Sequence, residues 1–432
     1  MRNRRLVLFL FLVACGAAAL GQSNPVYIQF SPSVVKGAYY KPDSGPAPHV
    51  AVLIMHRTSN VMGHIATKEL PARGFAVLAM NSRFDNNEAI VDWEDIALDV
   101  KSGVEFLKKQ PGITKIILFG HSGGGATMSF YEAVAEKGPA YCQGPGKLVQ
   151  CAPDRLTGLP RADGIIFVDA HPGIAALAVR SLNAAVTSDA DPRQIDASLD
   201  PFSTQNGYNP ASSSHYSEAF QKKYFKAQAD RMGRLIADAR GRMKQIKEGK
   251  GAYSDDDVFL IVRGEGARLT ALDTAIHHST AKPQKLIKND GTIVTQVVES
   301  VRRATPESKK TNGMFRGGTN LLTLRSFMSA NAIHASDSMN GIDWCSTNNS
   351  TPCALQNISV PVLITAMGAH FFVRDNEIHY EMSASKDKDF VVIEGATHGI
   401  SPCKECETAP GQYSNSVKNF FDYLAKWMKA RW

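Results

Sequence analysis

The residue of this chain best placed to do chemistry is a serine between glycines. Residues 115–127 read Lys-Ile-Ile-Leu-Phe-Gly-His-Ser-Gly-Gly-Gly-Ala-Thr, so Gly120, Ser122 and Gly124 form a Gly-x-Ser-x-Gly motif. The apolar run before the motif predicts a buried strand, and residues 128–134 after it can form a helix. A serine on so sharp a turn stands free of both elements, and its hydroxyl oxygen could attack a carbonyl group. The alternative is a plain glycine turn.

A serine hydroxyl is a weak nucleophile at neutral pH and needs a base to accept its proton. His398 is the predicted base, because it follows the last apolar strand pattern in the small-residue sequence Gly-Ala-Thr-His-Gly. The alternative is a histidine that only caps a turn. His121, inside the serine motif, is predicted to pack beside the serine rather than to act as the base.

A carboxylate is expected to hold that histidine in the right tautomer. Asp169 ends an apolar strand pattern at 164–168, a position that is hard to explain for a purely structural aspartate. Asp375 and Glu377 are the alternatives, and Asp375 also suits the N-cap of the helix that follows it. Asp169 is the preferred acid, and the choice among the three, or of no acid at all, stays open.

The segments around these residues alternate between strand and helix patterns. Strands are predicted over 26–30, 34–40, 49–55, 74–80, 164–168, 360–366 and 390–393, and helices over 64–73, 93–108, 375–385 and 413–427. Such alternation indicates an α/β fold with a parallel sheet. It is lost between about 173 and 357, which is too long for a loop and predicts an insertion with its own structure. Within the insertion we expect a helix over 216–246, a strand over 258–262, a hairpin over 285–298 and a helix over 321–332.

This order of elements resembles the α/β-hydrolase superfamily over residues 26–172 and 358–432. The resemblance rests on the serine motif and on the late Gly-Ala-Thr-His398-Gly. It implies an α/β-hydrolase fold, with a mostly parallel central sheet, helices on both faces and the chain order serine, acid, histidine. The core would comprise 22–172 and 358–432, and 173–357 would be a large, mainly helical cap inserted before the penultimate core strand.

The resemblance also bears on the oxyanion hole and the acid. The turn at Ser122 aims the Gly123 N–H at the developing negative charge, and the family pattern draws a second donor from the loop after the strand at 49–55. That donor would be the N–H of Arg57, with Thr58 next. The sequence Gly-Ala-His370-Phe lacks a carboxylate where the superfamily usually has its acid, but some members take the acid from the strand that Asp169 ends here.

The first residues have the layout of an export signal. Arginines at 2, 4 and 5 precede an apolar run over 6–20, which predicts a secretory signal peptide over 1–21. The alternative is a lipoprotein, because Leu-Val-Ala-Cys15-Gly resembles a bacterial lipobox and Cys15 would then carry a lipid anchor. Either way the protein is expected to be secreted or periplasmic, and no later run is long enough to span a membrane.

The other six cysteines fall into three close pairs. The simplest disulfides for an oxidising compartment join Cys142 to Cys151, Cys345 to Cys353 and Cys403 to Cys406. Cys403-Lys-Glu-Cys406 could instead be a redox or zinc motif, but no second ligand pair accompanies it. No metal or cofactor is predicted.

The leading hypothesis is a serine hydrolase that cleaves a small-molecule carboxylic ester through an acyl-enzyme. The net charge of +7 is mild for 432 residues, and no nucleic-acid motif is present. An acyltransferase on the same fold is one alternative. Another is a catalytically inactive binding module whose insertion is the working surface.

Overall fold

The computed structural model describes residues 25–432, so the predicted signal segment and Cys15 lie outside the described residues. The strands are β1 (Val26–Gln29), β2 (Lys36–Tyr40), β3 (Val50–His56), β4 (Ala76–Asn81), β5 (Lys115–His121), β6 (Gly164–Val168), β7 (Val258–Ile261), β8 (Gln284–Ile287), β9 (Ile293–Gln296), β10 (Asn320–Thr323), β11 (Val362–Met367) and β12 (Lys388–Ile393).

The α-helices range from one turn to eight. They are α1 (Ala66–Glu69), α2 (Trp93–Lys108), α3 (Gly124–Lys137), α4 (Pro153–Leu156), α5 (Ile174–Ser181), α6 (Glu218–Lys247), α7 (Leu269–Leu272), α8 (Ser308–Gly313), α9 (Phe315–Gly318), α10 (Leu324–Ser326), α11 (Thr351–Leu355), α12 (Val373–Met382) and α13 (Ser416–Lys429).

One large sheet forms the centre of the molecule. Its strand order is β1-β2-β4-β3-β5-β6-β11-β12-β8-β9, and every pair from β4 to β8 is parallel. Successive side chains of a strand face opposite sides, so Leu53 and Met55 join one apolar core while Val52 and Ile54 join the other. Burial on both faces explains why these strands read as continuous apolar runs. The predicted mostly parallel α/β sheet is confirmed.

Helices cover both faces of this sheet. The core that contains Leu53 is closed by α2 and α3, through residues such as Val100 and Phe130. The opposite core is closed by α13, through Phe420 and Leu424. The two helices α2 and α13 show the expected apolar stripe at helical spacing.

The insertion contains its own apolar cores and one part that joins the central sheet. α6 packs with α5 and β7 through residues such as Met232 and Leu235. The predicted hairpin is present as β8 and β9, but β8 pairs with β12, so this part of the insertion extends the core sheet.

The helix predicted over 321–332 is wrong in its first part. Residues 320–323 form β10, which pairs antiparallel with β7. Leu322 is buried there while Leu321 is exposed, which is the alternation of a strand and not of a helix. The pairing with Phe259 and Leu260 outweighs the helical tendency of the leucines.

The three predicted disulfides are present. Cα atoms are 5.5 Å apart in Cys142–Cys151 and 5.2 Å apart in both Cys345–Cys353 and Cys403–Cys406. Because Cys403 and Cys406 are joined, neither thiol is available to bind zinc. Among residues 25–432, every helix is too short or too polar to cross a membrane.

Candidate active site

Ser122 lies on a sharp turn between β5 and α3. Its φ is +55°, a left-handed value that is uncommon for a serine. A Cβ on Gly120 or on Gly124 would lie 2.7 Å from a backbone oxygen, of Gly124 or of Met55 respectively. Both glycines are therefore required for β5, α3 and β3 to approach one another so closely. The local geometry is the one that the motif predicts.

The side chains of Ser122, His398 and Asp169 form one line of contacts. The Nε2 of His398 is 2.9 Å from the Oγ of Ser122, and its Nδ1 is 2.6 Å from the Oδ2 of Asp169. Asp169 directly follows β6 and is fully buried, and its Oδ1 accepts a hydrogen bond of 3.1 Å from the Met367 N–H. The structure thus brings together the predicted nucleophile, base and preferred acid.

The two alternative acids lie elsewhere. Asp375 forms a buried ion pair of 3.0 Å with Arg180, which links α12 to α5. Glu377 accepts hydrogen bonds from the N–H groups of Ala281 and Lys282, at 2.6 and 3.0 Å. Asp375 is also inside α12 rather than at the predicted N-cap position. Both carboxylates anchor the insertion to the core, and neither contacts His398.

A second histidine lies against Asp169. The Nδ1 of His370 is 2.7 Å from the same Oδ2 that contacts His398, although its alignment is poor for a hydrogen bond. The rings of His370 and His398 stack with centroids 4.3 Å apart. Burial acts to raise the pKa of Asp169, but His370 and His398 outweigh it and hold that pKa below its ordinary value. Asp169 is therefore ionised at neutral pH.

Two further histidines support the backbone of His398. The Ala66 N–H donates to Nδ1 of His64, so the proton of His64 is on Nε2, which is 3.0 Å from Nδ1 of His121. The Nε2 of His121 in turn donates to the carbonyl oxygen of His398 at 2.8 Å. Burial lowers the pKa of His64 to about 4 and that of His121 to about 3, so both rings stay neutral. As predicted, His121 packs beside the serine and does not contact its Oγ.

The predicted oxyanion donors border Ser122. Within residues 25–432, the N–H groups of Gly123 and Arg57 have no hydrogen-bond acceptor. Gly123 is the first residue after Ser122, immediately before α3, and Arg57 is the first residue after β3. Arg57 is buried, and its Nε and Nη2 donate to the two carboxylate oxygens of Glu88 at 3.1 and 2.7 Å. The N–H of Thr58, the next candidate, instead donates to Nδ1 of His56 at 3.0 Å.

One group of side chains has the composition of a metal site. Asp169, His370 and His398 offer ligand atoms that lie within 4.8 Å of one another. The Nδ1 of His398 is already engaged by Asp169, and its Nε2 faces Ser122. The contacts of this group are therefore those of a serine, histidine and aspartate chain, with His370 beside it.

The sequence did not point to all of these residues. His370 falls where the resemblance places an acid, and that mismatch was the only signal of it. His171, two residues after Asp169, and His64 lie far from Ser122 in sequence and carry no motif. His56 ends β3, and its position directly before Arg57 is the one sequence feature that points to it. Their contacts depend on packing between separate strands.

Comparison with known proteins finds similarity in structure only. Est1E from Butyrivibrio proteoclasticus aligns over 94% of this chain and 98% of its own, with 11% identity and a TM-score of 0.41. The α/β hydrolase GrgF from Penicillium sp. sh18 aligns over 94% and 97%, with 12% identity and a TM-score of 0.42. A bromoperoxidase from Bacillus anthracis aligns over 94% and 99%, with 12% identity and a TM-score of 0.36. No protein-family model and no curated protein matches the sequence.

Proposed function

We propose that this chain, whose fold is that of the α/β-hydrolase superfamily, is a serine hydrolase that cleaves carboxylic esters through an acyl-enzyme. The observation that carries the proposal is the continuous line of contacts from Ser122 Oγ through His398 to Asp169, at 2.9 and 2.6 Å. Distances of this kind are those of a nucleophile, its base and the group that orients the base. They favour an enzyme over an inactive binding module.

In the proposed reaction, His398 Nε2 accepts the hydroxyl proton while Ser122 Oγ attacks the ester carbonyl carbon. The N–H groups of Gly123 and Arg57 stabilise the oxyanion of the tetrahedral intermediate. His398 then donates the proton to the leaving alcohol, and the acyl group stays on Ser122. Water attacks the acyl-enzyme while His398 takes a proton from it, and the carboxylic acid leaves as that proton returns to Ser122.

Asp169 has an orienting role in this scheme. Its carboxylate accepts a hydrogen bond from the Nδ1–H of His398, which leaves the Nε2 lone pair free to face Ser122. The ionised carboxylate also stabilises the imidazolium that forms during attack. Because Asp169 is fully buried, this charge interaction is only weakly screened by water.

We also propose that residues 173–357 act as the cap over this site, apart from β8 and β9. The side chain of Arg268, from the insertion, lies over the ring of Phe371 at 5.0 Å, beside His370. Residues of the insertion therefore reach the neighbourhood of Asp169.

We further propose that the protein is exported, which accords with three disulfides and a signal-like first segment.

The test is turnover of p-nitrophenyl acetate and butyrate by the purified mature protein and its Ser122→Ala variant. We expect Ser122→Ala to lower kcat by about 10⁴-fold or more, because the nucleophile is lost. Ser102→Ala is the matched control, since Ser102 lies on α2 and its hydroxyl donates to the Leu98 carbonyl. Equal turnover by wild type and Ser122→Ala would contradict the proposal.

A further inference from the structure

Three buried side chains direct nitrogen atoms to one place beside Ser122. Three nitrogen atoms lie within 2.8 Å of the point that a Cβ on Gly123 would occupy: Nη1 of Arg57, Nε2 of His56 and Nε2 of His171. Each of the three residues is more than nine-tenths buried. We call Arg57, His56 and His171 the donor cluster. Only glycine fits at position 123, because any side chain would collide with all three nitrogens.

The hydrogen bonds on the far side of each ring determine the tautomers of the two histidines. Nδ1 of His56 accepts from the N–H groups of Thr58 and Ser59, at 3.0 and 2.8 Å. Nδ1 of His171 accepts from the Gly173 N–H at 3.1 Å. A neutral imidazole whose Nδ1 accepts must carry its proton on Nε2. Both Nε2 atoms of the donor cluster are therefore hydrogen-bond donors.

The donors of the cluster face one another without an acceptor. Nη1 of Arg57 is 3.4 Å from Nε2 of His171, and both atoms carry hydrogen. Nε2 of His56 forms no hydrogen bond within the described part of the chain. Burial and the charge of Arg57 hold the pKa of both histidines well below the ordinary value, so they remain neutral donors. Buried donors normally have acceptors, so this arrangement calls for an anionic or strongly accepting ligand.

The surrounding charges have the sign that an anion requires. Glu88 accepts hydrogen bonds from Nε and Nη2 of Arg57, but half of the Glu88 side chain is exposed. Nη1 of Arg57 does not contact Glu88 and belongs to the donor cluster. The positive charge of Arg268 contributes to lowering the pKa of His171 and of His370. Among residues 25–432 Arg268 has no ion-pair partner, and its buried Nε has no hydrogen bond.

We propose that the donor cluster binds a carboxylate carried by the acyl part of the substrate, so that the preferred substrates are half-esters of short dicarboxylic acids. This inference rests on the proposed function. The carbonyl oxygen of the ester would face the Gly123 N–H, and the leaving alcohol must face His398 to receive its proton. The acyl side therefore lies nearest the cluster. Hydrogen bonds from a guanidinium to a carboxylate are charge-assisted and among the strongest in proteins.

The test compares monomethyl succinate with dimethyl succinate, which differ at the distal carboxyl group. We expect wild-type kcat/KM to favour the charged half-ester by about 10- to 100-fold. In Arg57→Met this ratio falls toward one, and general losses of folding or catalysis cancel because both esters are measured on the same protein. Arg242→Met is the control that keeps the wild-type ratio, since Arg242 lies on α6 and pairs with Asp257.

Two kinetic outcomes overturn the inference while the proposed function stands. One is equal turnover of both esters by wild type. The other is an Arg57→Met variant that loses activity on both esters equally, which would assign the cluster to the oxyanion alone. A binding measurement needs no turnover: calorimetric titration of Ser122→Ala with succinate should show binding that Arg57→Met weakens about tenfold or more. No binding of succinate to Ser122→Ala would also overturn the inference, whereas failure to cleave any ester would count against the proposed function.

Discussion

The Oδ2 of Asp169 lies 2.6 Å from the Nδ1 of His398, although the two residues follow different strands, β6 and β12, with β11 between them. Because all three strands are parallel, their carboxyl ends meet at one edge of the sheet. Asp169 reaches across the end of β11, where its other oxygen accepts the Met367 N–H. The acid and the base thus come from non-adjacent strands and meet over the strand between them.

The first prediction separates the two aspartates. Asp169→Asn should lower kcat by about 10⁴-fold, because an amide favours the wrong tautomer of His398. Asp375→Asn should keep most of the activity but lower the free energy of unfolding by about 3 kcal/mol, because the buried charge of Arg180 loses its partner. Ester hydrolysis and urea denaturation of both variants check this. A large loss of kcat in a folded Asp375→Asn and not in Asp169→Asn would reverse the assignment.

The second prediction concerns His64 as a positioning residue. His64→Leu removes the hydrogen bond to His121, which itself holds the carbonyl oxygen of His398. We expect kcat to fall about 10-fold with little change in KM, since small displacements of the base slow proton transfer. His64→Gln, whose amide nitrogen can donate to His121, should recover most of kcat. A purely structural role would lower the stability of His64→Leu without this separation of kcat from KM.

The third prediction is the pH dependence of stability. His379 is fully buried on α12, neither of its ring nitrogens has a hydrogen-bond partner within residues 25–432, and burial lowers its pKa to about 4. The pKa in the unfolded chain is about 6.5, so unfolding takes up a proton between these values. The stability contributed by neutral His379 is complete above about pH 6.5 and is lost as pH falls toward about 4.

The measurement is urea denaturation of wild type and His379→Leu between pH 7.5 and pH 4.5. In this range His379 contributes a loss of up to about 1.4 kcal/mol per pH unit, which the leucine variant should lack. Its free energy of unfolding should therefore fall less steeply than that of wild type below about pH 6.5. Parallel curves for the two proteins would show that His379 is not the titrating group.

Much of the central sheet could be predicted from the sequence because the buried strands carry an unambiguous apolar pattern. The turn at Ser122 could be predicted for a different reason: its glycines form a recognisable motif, and a Cβ on Gly120 would meet the backbone of Gly124 within the same turn. The strand β10 could not be predicted, because Leu321 and Leu322 suit either element and only pairing with β7 decides between them. Local pattern is informative where neighbours in sequence determine the contact.

The acid and the histidines around it show the limit of that reasoning. Asp169 follows a strand pattern, whereas Asp375 and Glu377 begin a helix pattern, and all three are buried in the structure. The three carboxylates differ in the residues that they contact, and those residues come from segments that are distant in sequence. His171 has no sequence signal beyond its proximity to a strand end, and His370 is marked only by its position where the resemblance places an acid. The neighbours of both histidines are set by strand order.

The most direct test of the central claim is labelling of the mature protein with a fluorophosphonate, followed by peptide mass spectrometry. An activated serine attacks phosphorus as it would attack a carbonyl carbon, and we predict a single adduct on Ser122. The adduct should be lost in His398→Ala, because no base then removes the hydroxyl proton. Folded wild-type protein that forms no adduct, or forms one on another serine, would contradict the account.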